Sequence, residues 1–125
     1  MSLFAKNDPI IASGTAITGS PLNGNIPKPE NEPVRFSVQI IWTIGDAADA
    51  TAGIQMRNNE DDDWTAVTII NNSGTHAETF TLDMTSAGSQ NIEFDSASAP
   101  FMRLQILKGA NTTGTIGATV TGHIL

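Results

Sequence analysis

Apolar and polar positions alternate through residues 34–43: Phe36, Val38, Ile40 and Trp42 fall on one face, and Arg35, Ser37, Gln39 and Thr43 on the other. A period of two is that of a half-buried β-strand, whose successive side chains point to opposite faces. A second strand is predicted over Gly53-Ile-Gln-Met-Arg57 and a third over Trp64-Thr-Ala-Val-Thr-Ile-Ile70, joined by the acidic turn Asn58-Asn-Glu-Asp-Asp-Asp63. Residues 34–72 therefore predict an antiparallel β module.

The pattern continues to the last residue. Phe80, Leu82 and Met84 alternate with Thr79, Thr81 and Asp83; Ile92 and Phe94 share a face; Met102, Leu104 and Ile106 form another inward row. In the last run Ile116, Ala118, Val120 and Ile124 alternate with Thr115, Thr119, Thr121 and His123, which predicts an ordered terminal strand. Turn clusters at residues 71–74, 85–89, 96–100 and 109–114 separate these runs. No stretch has helical periodicity. The expectation is an all-β protein, an antiparallel β-sandwich or jelly roll of about seven or eight strands, seven of them over residues 34–125 and one possible in the segment before them. Gly117 and Gly122 interrupt the last strand, which marks a bulge or a close approach of other backbone, and a neighbouring subunit could be what approaches.

Residues 1–33 read differently. Pro9, Pro21, Pro27, Pro29 and Pro33 recur with Gly14, Gly19 and Gly24, a spacing that forbids helix and repeatedly removes ladder donors. An extended N-terminal arm is expected, with one short strand over residues 10–18 that pairs with something.

Composition narrows the chemistry. At 125 residues the chain has the length of one domain and can bury a core unaided, and with no cysteine it has neither disulfides nor thiolate sites. Six basic against thirteen acidic side chains, a net charge of −7, argue against a nucleic-acid partner, because phosphate binding rests on Lys and Arg. No signal-like segment opens the sequence and no apolar run suits a membrane span, so neither export nor a membrane partner is expected.

Candidate sites are few. Residues 60–63, Glu-Asp-Asp-Asp, carry the oxygen ligands that calcium prefers, but the alternating spacing of an EF-hand loop is absent, and a solvated hairpin turn is the favoured reading. His76 and His123 are not spaced as metal ligands. Ser86, Ser89, Ser96 and Ser98 lie in turns without a nucleophile elbow, Asp83 and Glu93 make no recognisable acid pair, and residues 14–19 lack the lysine of a phosphate loop. The expectation is no catalytic residue, no cofactor and no metal. Trp42 and Trp64 are expected to pack in the core or at its rim, although a tryptophan can also stack on a sugar ring.

Residues 38–67 carry a resemblance. Val-Gln-Ile-Ile-Trp-Thr-Ile-Gly, followed by Ala-Gly-Ile-Gln-Met-Arg-Asn-Asn-Glu-Asp-Asp-Asp-Trp-Thr-Ala-Val, looks like a strand-and-hairpin pattern of small β-sandwich virion proteins of tailed bacteriophages. The Trp64-Thr65 anchor is kept, while residues 58–63 replace the usual Ser-Asn-Asp-Gly turn. The resemblance implies a capsid decoration or other auxiliary protein of the virion, made in the host cytoplasm. Its partners would be copies of itself, as a homo-oligomer such as a trimer, and the major capsid or other virion proteins. The arm and the threonine-rich sheet faces would make the contacts. The alternative is a carbohydrate- or receptor-binding module of a tail fibre, which an aromatic-lined groove at Trp42 or Trp64 would favour.

Overall fold

The computed structural model describes residues 2–17, 21–27, 32–96 and 100–125. Within them the chain forms eleven strands and no helix: β1 (Ser2–Ala16), β2 (Leu22–Asn25), β3 (Val34–Trp42), β4 (Ala50–Arg57), β5 (Thr65–Val67), β6 (Ile69–Asn71), β7 (His76–Ala77), β8 (Thr79–Leu82), β9 (Gly88–Asp95), β10 (Phe101–Leu107) and β11 (Thr115–Ile124). They make two antiparallel sheets. The first has the order β1-β11-β3-β9-β6-β7, and the second the order β2-β10-β4-β5, with β8 also paired to β4. The expected all-β sandwich is the observed fold.

The core lies where the period-two rows meet. Phe36, Val38 and Ile40 from β3, Ile92 and Phe94 from β9, and Ile116, Ala118 and Val120 from β11 face Ile54 from β4 and Met102, Leu104 and Ile106 from β10. Each fully buried Ile, Leu or Phe contributes roughly 1.5–3 kcal/mol of transfer free energy, which stabilises a chain without covalent cross-links. Phe36 and Phe94, paired across β3 and β9, stack with ring centroids 5.4 Å apart. Trp42 closes one end of the core. Its indole N–H donates to the carbonyls of Asp83 (3.1 Å) and Ser86 (3.0 Å), and its ring packs on Gly88, where a Cβ would come within 2.8 Å.

Two expectations need correction. The single strand expected over residues 64–70 is divided: β5 belongs to the second sheet and β6 to the first, with the chain crossing at Thr68. Val67 and Ile69 have the same parity and both turn toward the core, so the hydrophobic alternation passes through the crossing without a break. The chain crosses back between β7 and β8 at Glu78. Strands that change sheet in this way tie the layers at their corners.

Residues 1–33 are the second correction. Where an extended arm was expected, the described part of this segment supplies an edge strand to each sheet: β1 pairs along β11, and β2 pairs with β10. Residues 1, 18–20 and 28–31 lie outside the described residues, as do 97–99 of the turn expected at 96–100. The prolines did not preclude pairing because Pro9 sits on an edge strand, where one side of the backbone needs no ladder partner. Ser2 pairs with Ile124 and Ala16 with Thr115, so fourteen steps of β1 run against nine of β11, the excess being taken up in four register shifts. Asn7, at φ +49°, occupies one irregularity and its N–H donates to Thr121 Oγ1 (3.1 Å). Another falls beside Gly117: a Cβ there would lie 2.9 Å from Ser13 Cα, and one on Gly122 would lie 3.0 Å from the Phe36 ring. The close approaches at both glycines are thus made by the chain itself.

Two loops are fastened to each other at one end of the sandwich. Asn111 is fully buried; its Oδ1 accepts from the N–H groups of Asp46 (2.9 Å) and Ala47 (2.8 Å), and its Nδ2 donates to Lys108 O (2.9 Å). In return the carboxylates of Asp46 and Asp49 accept from the N–H groups of Thr112 (2.8 Å) and Ala110 (2.9 Å). The hydrogen bonds from Thr112 hold the Asp46 carboxyl below its ordinary pKa.

Candidate functional site

The strongest concentration of charged and aromatic side chains lies on the outer face of the second sheet. The β4–β10 register sets Arg57 opposite Phe101 and Gln55 opposite Arg103, and β2 brings Asn25 opposite Arg103 from the other side. Trp64, just before β5, leans onto this row. The guanidinium carbons of Arg57 and Arg103 lie 4.3 and 4.2 Å from its ring centroid, and Arg57 also approaches the Phe101 ring at 5.8 Å. Cation–π contacts of this kind contribute about 0.5–1 kcal/mol when partly exposed.

The two arginines are poorly compensated. Arg103 Nε donates to Gln55 Oε1 (2.8 Å), but Arg57 Nε is buried and has no hydrogen-bond partner among the described residues. Burial first, and then the repulsion of Arg57, holds the Arg103 guanidinium below its ordinary pKa. Neither forms an ion pair among the described residues, where the pair found is Arg35–Asp95 (2.8 Å), exposed on the other sheet. The hydrogen bond from Arg35 holds Asp95 below the usual carboxylate range. Asn25, Ile26, Arg57, Glu60, Trp64, Pro100, Phe101 and Met102 line an open cleft of about 330 Å³ beside the stack.

The outer face of the first sheet is of another kind. Three cross-strand rows run β11–β3–β9: Thr121, Ser37 and Glu93; Thr119, Gln39 and Asn91; Gly117, Ile41 and Ser89. Ser37 Oγ donates to Asn91 Oδ1 (2.9 Å). Ile41 is 56% exposed in the middle of β3, and Ile44, just beyond the strand, is 62% exposed.

The remaining sequence candidates fall as follows. Residues 58–63 form the β4–β5 hairpin turn, all exposed, closed by Asp62 N–H to Asn59 O (3.1 Å) and by Asn59 Nδ2 to Asp62 Oδ2 (3.3 Å). Among the described residues no three His, Cys, Asp or Glu side chains gather as a metal ion requires. His76 is exposed in β7 and lines a second open cleft with Arg35, Glu93 and Asp95, whereas His123 pairs with Arg35 and Leu3 across β11. Asp83 accepts from Thr85 N–H (3.0 Å) and Thr85 Oγ (2.6 Å), which lowers its pKa and commits it to its own turn. Trp42 is buried, as a core position predicts, and Trp64 is half-buried at the rim.

Sequence reasoning missed the arginine pair and Asn111. The available signal for the pair was parity: Gln55 and Arg57 share a face, as do Phe101, Arg103 and Gln105, but only the β4–β10 register brings the two sets together.

No protein-family profile and no curated protein matches the chain. Among solved structures it is similar to a CBM4 carbohydrate-binding module (17% identity, 90% of this chain and 66% of that one, TM-score 0.43). It is also similar to the SPBc2 prophage-derived protein YomS (13% identity, 84% and 92%, TM-score 0.39). A third similarity is to the CBM22-1–GH10 modules of Clostridium thermocellum endo-1,4-beta-D-xylanase 10B complexed with xylohexaose (8% identity, 96% and 29%, TM-score 0.42). The chain spans just under two thirds of the first of these, most of the second and less than a third of the last. The likeness is one of fold.

Proposed function

We propose that this chain is a non-enzymatic structural protein of a bacteriophage particle, a capsid decoration or other auxiliary virion protein, working as a homo-oligomer. The observation that carries the reading is the outer face of the six-stranded sheet. Its hydroxyl and amide side chains are short, its charges are few, and Ile41 stands exposed among them. Ordering long charged side chains in an interface sacrifices up to ~2 kcal/mol each in side-chain entropy, and a face of Ser, Thr and Gly avoids most of that loss. The resemblance over residues 38–67 supplies the setting, and the edge strands of residues 1–33 add contact surface instead of a free arm. The test is light scattering of the purified chain alongside analysis of purified particles for its copy number. An oligomer that Ile41→Lys dissociates, together with a fixed copy number in particles, is expected; a monomer absent from particles overturns the reading.

A second reading, a carbohydrate- or receptor-binding module of a tail fibre, is favoured by one observation. Trp64 and Phe101 border an open cleft that also carries Asn25 and Arg57.

A further inference from the structure

We propose that the cleft beside Trp64, Arg57 and Arg103 binds a saccharide unit bearing a single carboxylate. The inference stands apart from the assembly reading, because it concerns the opposite outer face.

Charge is unevenly placed on this molecule. The chain has three arginines and thirteen acidic side chains, yet two of those arginines stack on one indole, and among the described residues no carboxylate pairs with either. Two like charges brought together repel each other, and burying Arg57 Nε without an acceptor among the described residues adds to the cost. An anion in the cleft against Arg57 supplies an acceptor there and offsets the repulsion from Arg103, which stacks on the same indole. Planar guanidinium forks match a carboxylate through paired N–H donors, and such bonds are stronger than neutral ones.

The surroundings select what carries the carboxylate. The Asn25 side chain borders the cleft and the Gln55 amide lies in the adjoining row; amides both donate and accept, as hydroxyl groups require. Phe101 and the free part of Trp64 offer apolar ring surface of the kind that packs on the C–H face of a sugar. The volume, about 330 Å³, lies at the small end of the ~300–1,000 Å³ typical of small-molecule sites and suits a short ligand. Glu60 lines the same cleft, and the acidic turn continues from it through Asp63. That rim repels a chain of closely spaced negative charges and tolerates one charge seated against Arg57, a repulsive element that narrows specificity.

The experiment uses the full chain and nuclear magnetic resonance of its Arg side-chain N–H and Trp indole N–H signals. The probes are methyl β-D-glucuronide, its uncharged counterpart methyl β-D-glucoside, and sodium acetate. The glucuronide is expected to give saturable shifts at Trp64, Arg57 and Arg103, with an affinity at least about tenfold above that of either control, a difference well resolved at millimolar dissociation constants. Arg57→Gln should weaken it by about tenfold, and Arg57→Lys, which keeps the charge and removes the fork, should also weaken it while preserving the fold. The absence of saturation by the glucuronide overturns the proposal. So does equal binding of the glucoside or acetate, or unchanged affinity in a folded Arg57→Lys variant.

Discussion

The two outer faces of the sandwich are built on the same alternating strands, yet they differ in kind. On the six-stranded sheet the outward positions hold mostly Thr, Ser, Asn, Gln and Gly with one exposed Ile and the acidic Glu93, and the local ion pair Arg35–Asp95 neutralises itself. On the five-stranded sheet two arginines stack on Trp64 without a carboxylate partner among the described residues. One face has little to gain electrostatically from a ligand and much apolar or neutral area to cover; the other holds charge that its own fold leaves uncompensated. A shared core can thus support two unrelated surface chemistries, because outward side chains alternate with inward ones and are free to vary.

The largest test of this contrast removes what both faces share. Deleting residues 1–33 strips β1 from β11 and β2 from β10, unpairing an edge in each sheet. We expect loss of the cooperative thermal transition measured by circular dichroism; a folded remainder with unchanged melting would mean that this segment is an appendage after all. A smaller effect should follow from Asn111→Ala, which leaves the part-buried N–H groups of Asp46 and Ala47 without their acceptor. About 1–3 kcal/mol should be lost in urea titration, with both faces still functional once folded.

Smaller in stability but sharper in meaning are single changes on each face. Ile41→Lys should alter the unfolding free energy by no more than about 0.5 kcal/mol while reducing self-association in light scattering, and glucuronide binding should be unaffected. Arg103→Gln should do the reverse, leaving association intact and changing the Trp64 fluorescence. If either variant impairs both activities, the faces are not independent.

The smallest expected effect is acid sensitivity. Asp46 and Asp95 have folded pKa values below their unfolded ones, so their contribution is present above the ordinary carboxylate pKa, about 4, and is lost as pH falls through the folded values. Stability measured between pH 5 and 2 should decline, and Asp46→Asn should make the decline slightly shallower. Both side chains are exposed, so solvent screens the effect.

Much of the fold could be read from residue order because β3, β10, β11 and the second half of β9 each carry a period of two, with Val38, Leu104, Val120 and Ile92 in their inward rows. What could not be read depended on pairing. Strand β1 looked like an arm since proline and glycine are ordinarily poor in strands, and only its place on an edge makes them tolerable. The division at Thr68 was invisible because it changes hydrogen-bond partners without changing the parity of Val67 and Ile69. The arginine stack required the register of β4 on β10, and Asn111 required two distant loops to meet. Trp64 was legible as a rim residue, but its guanidinium neighbours were not.

The antiparallel pairing of Ser2 with Ile124 places both of these residues at one pole of the sandwich. A pull applied to them in opposite directions would load the β1–β11 ladder one hydrogen bond at a time, as a zipper opens, and not all together in shear. Under tension this molecule should therefore yield at that seam first, which makes the β1 edge its mechanical fuse.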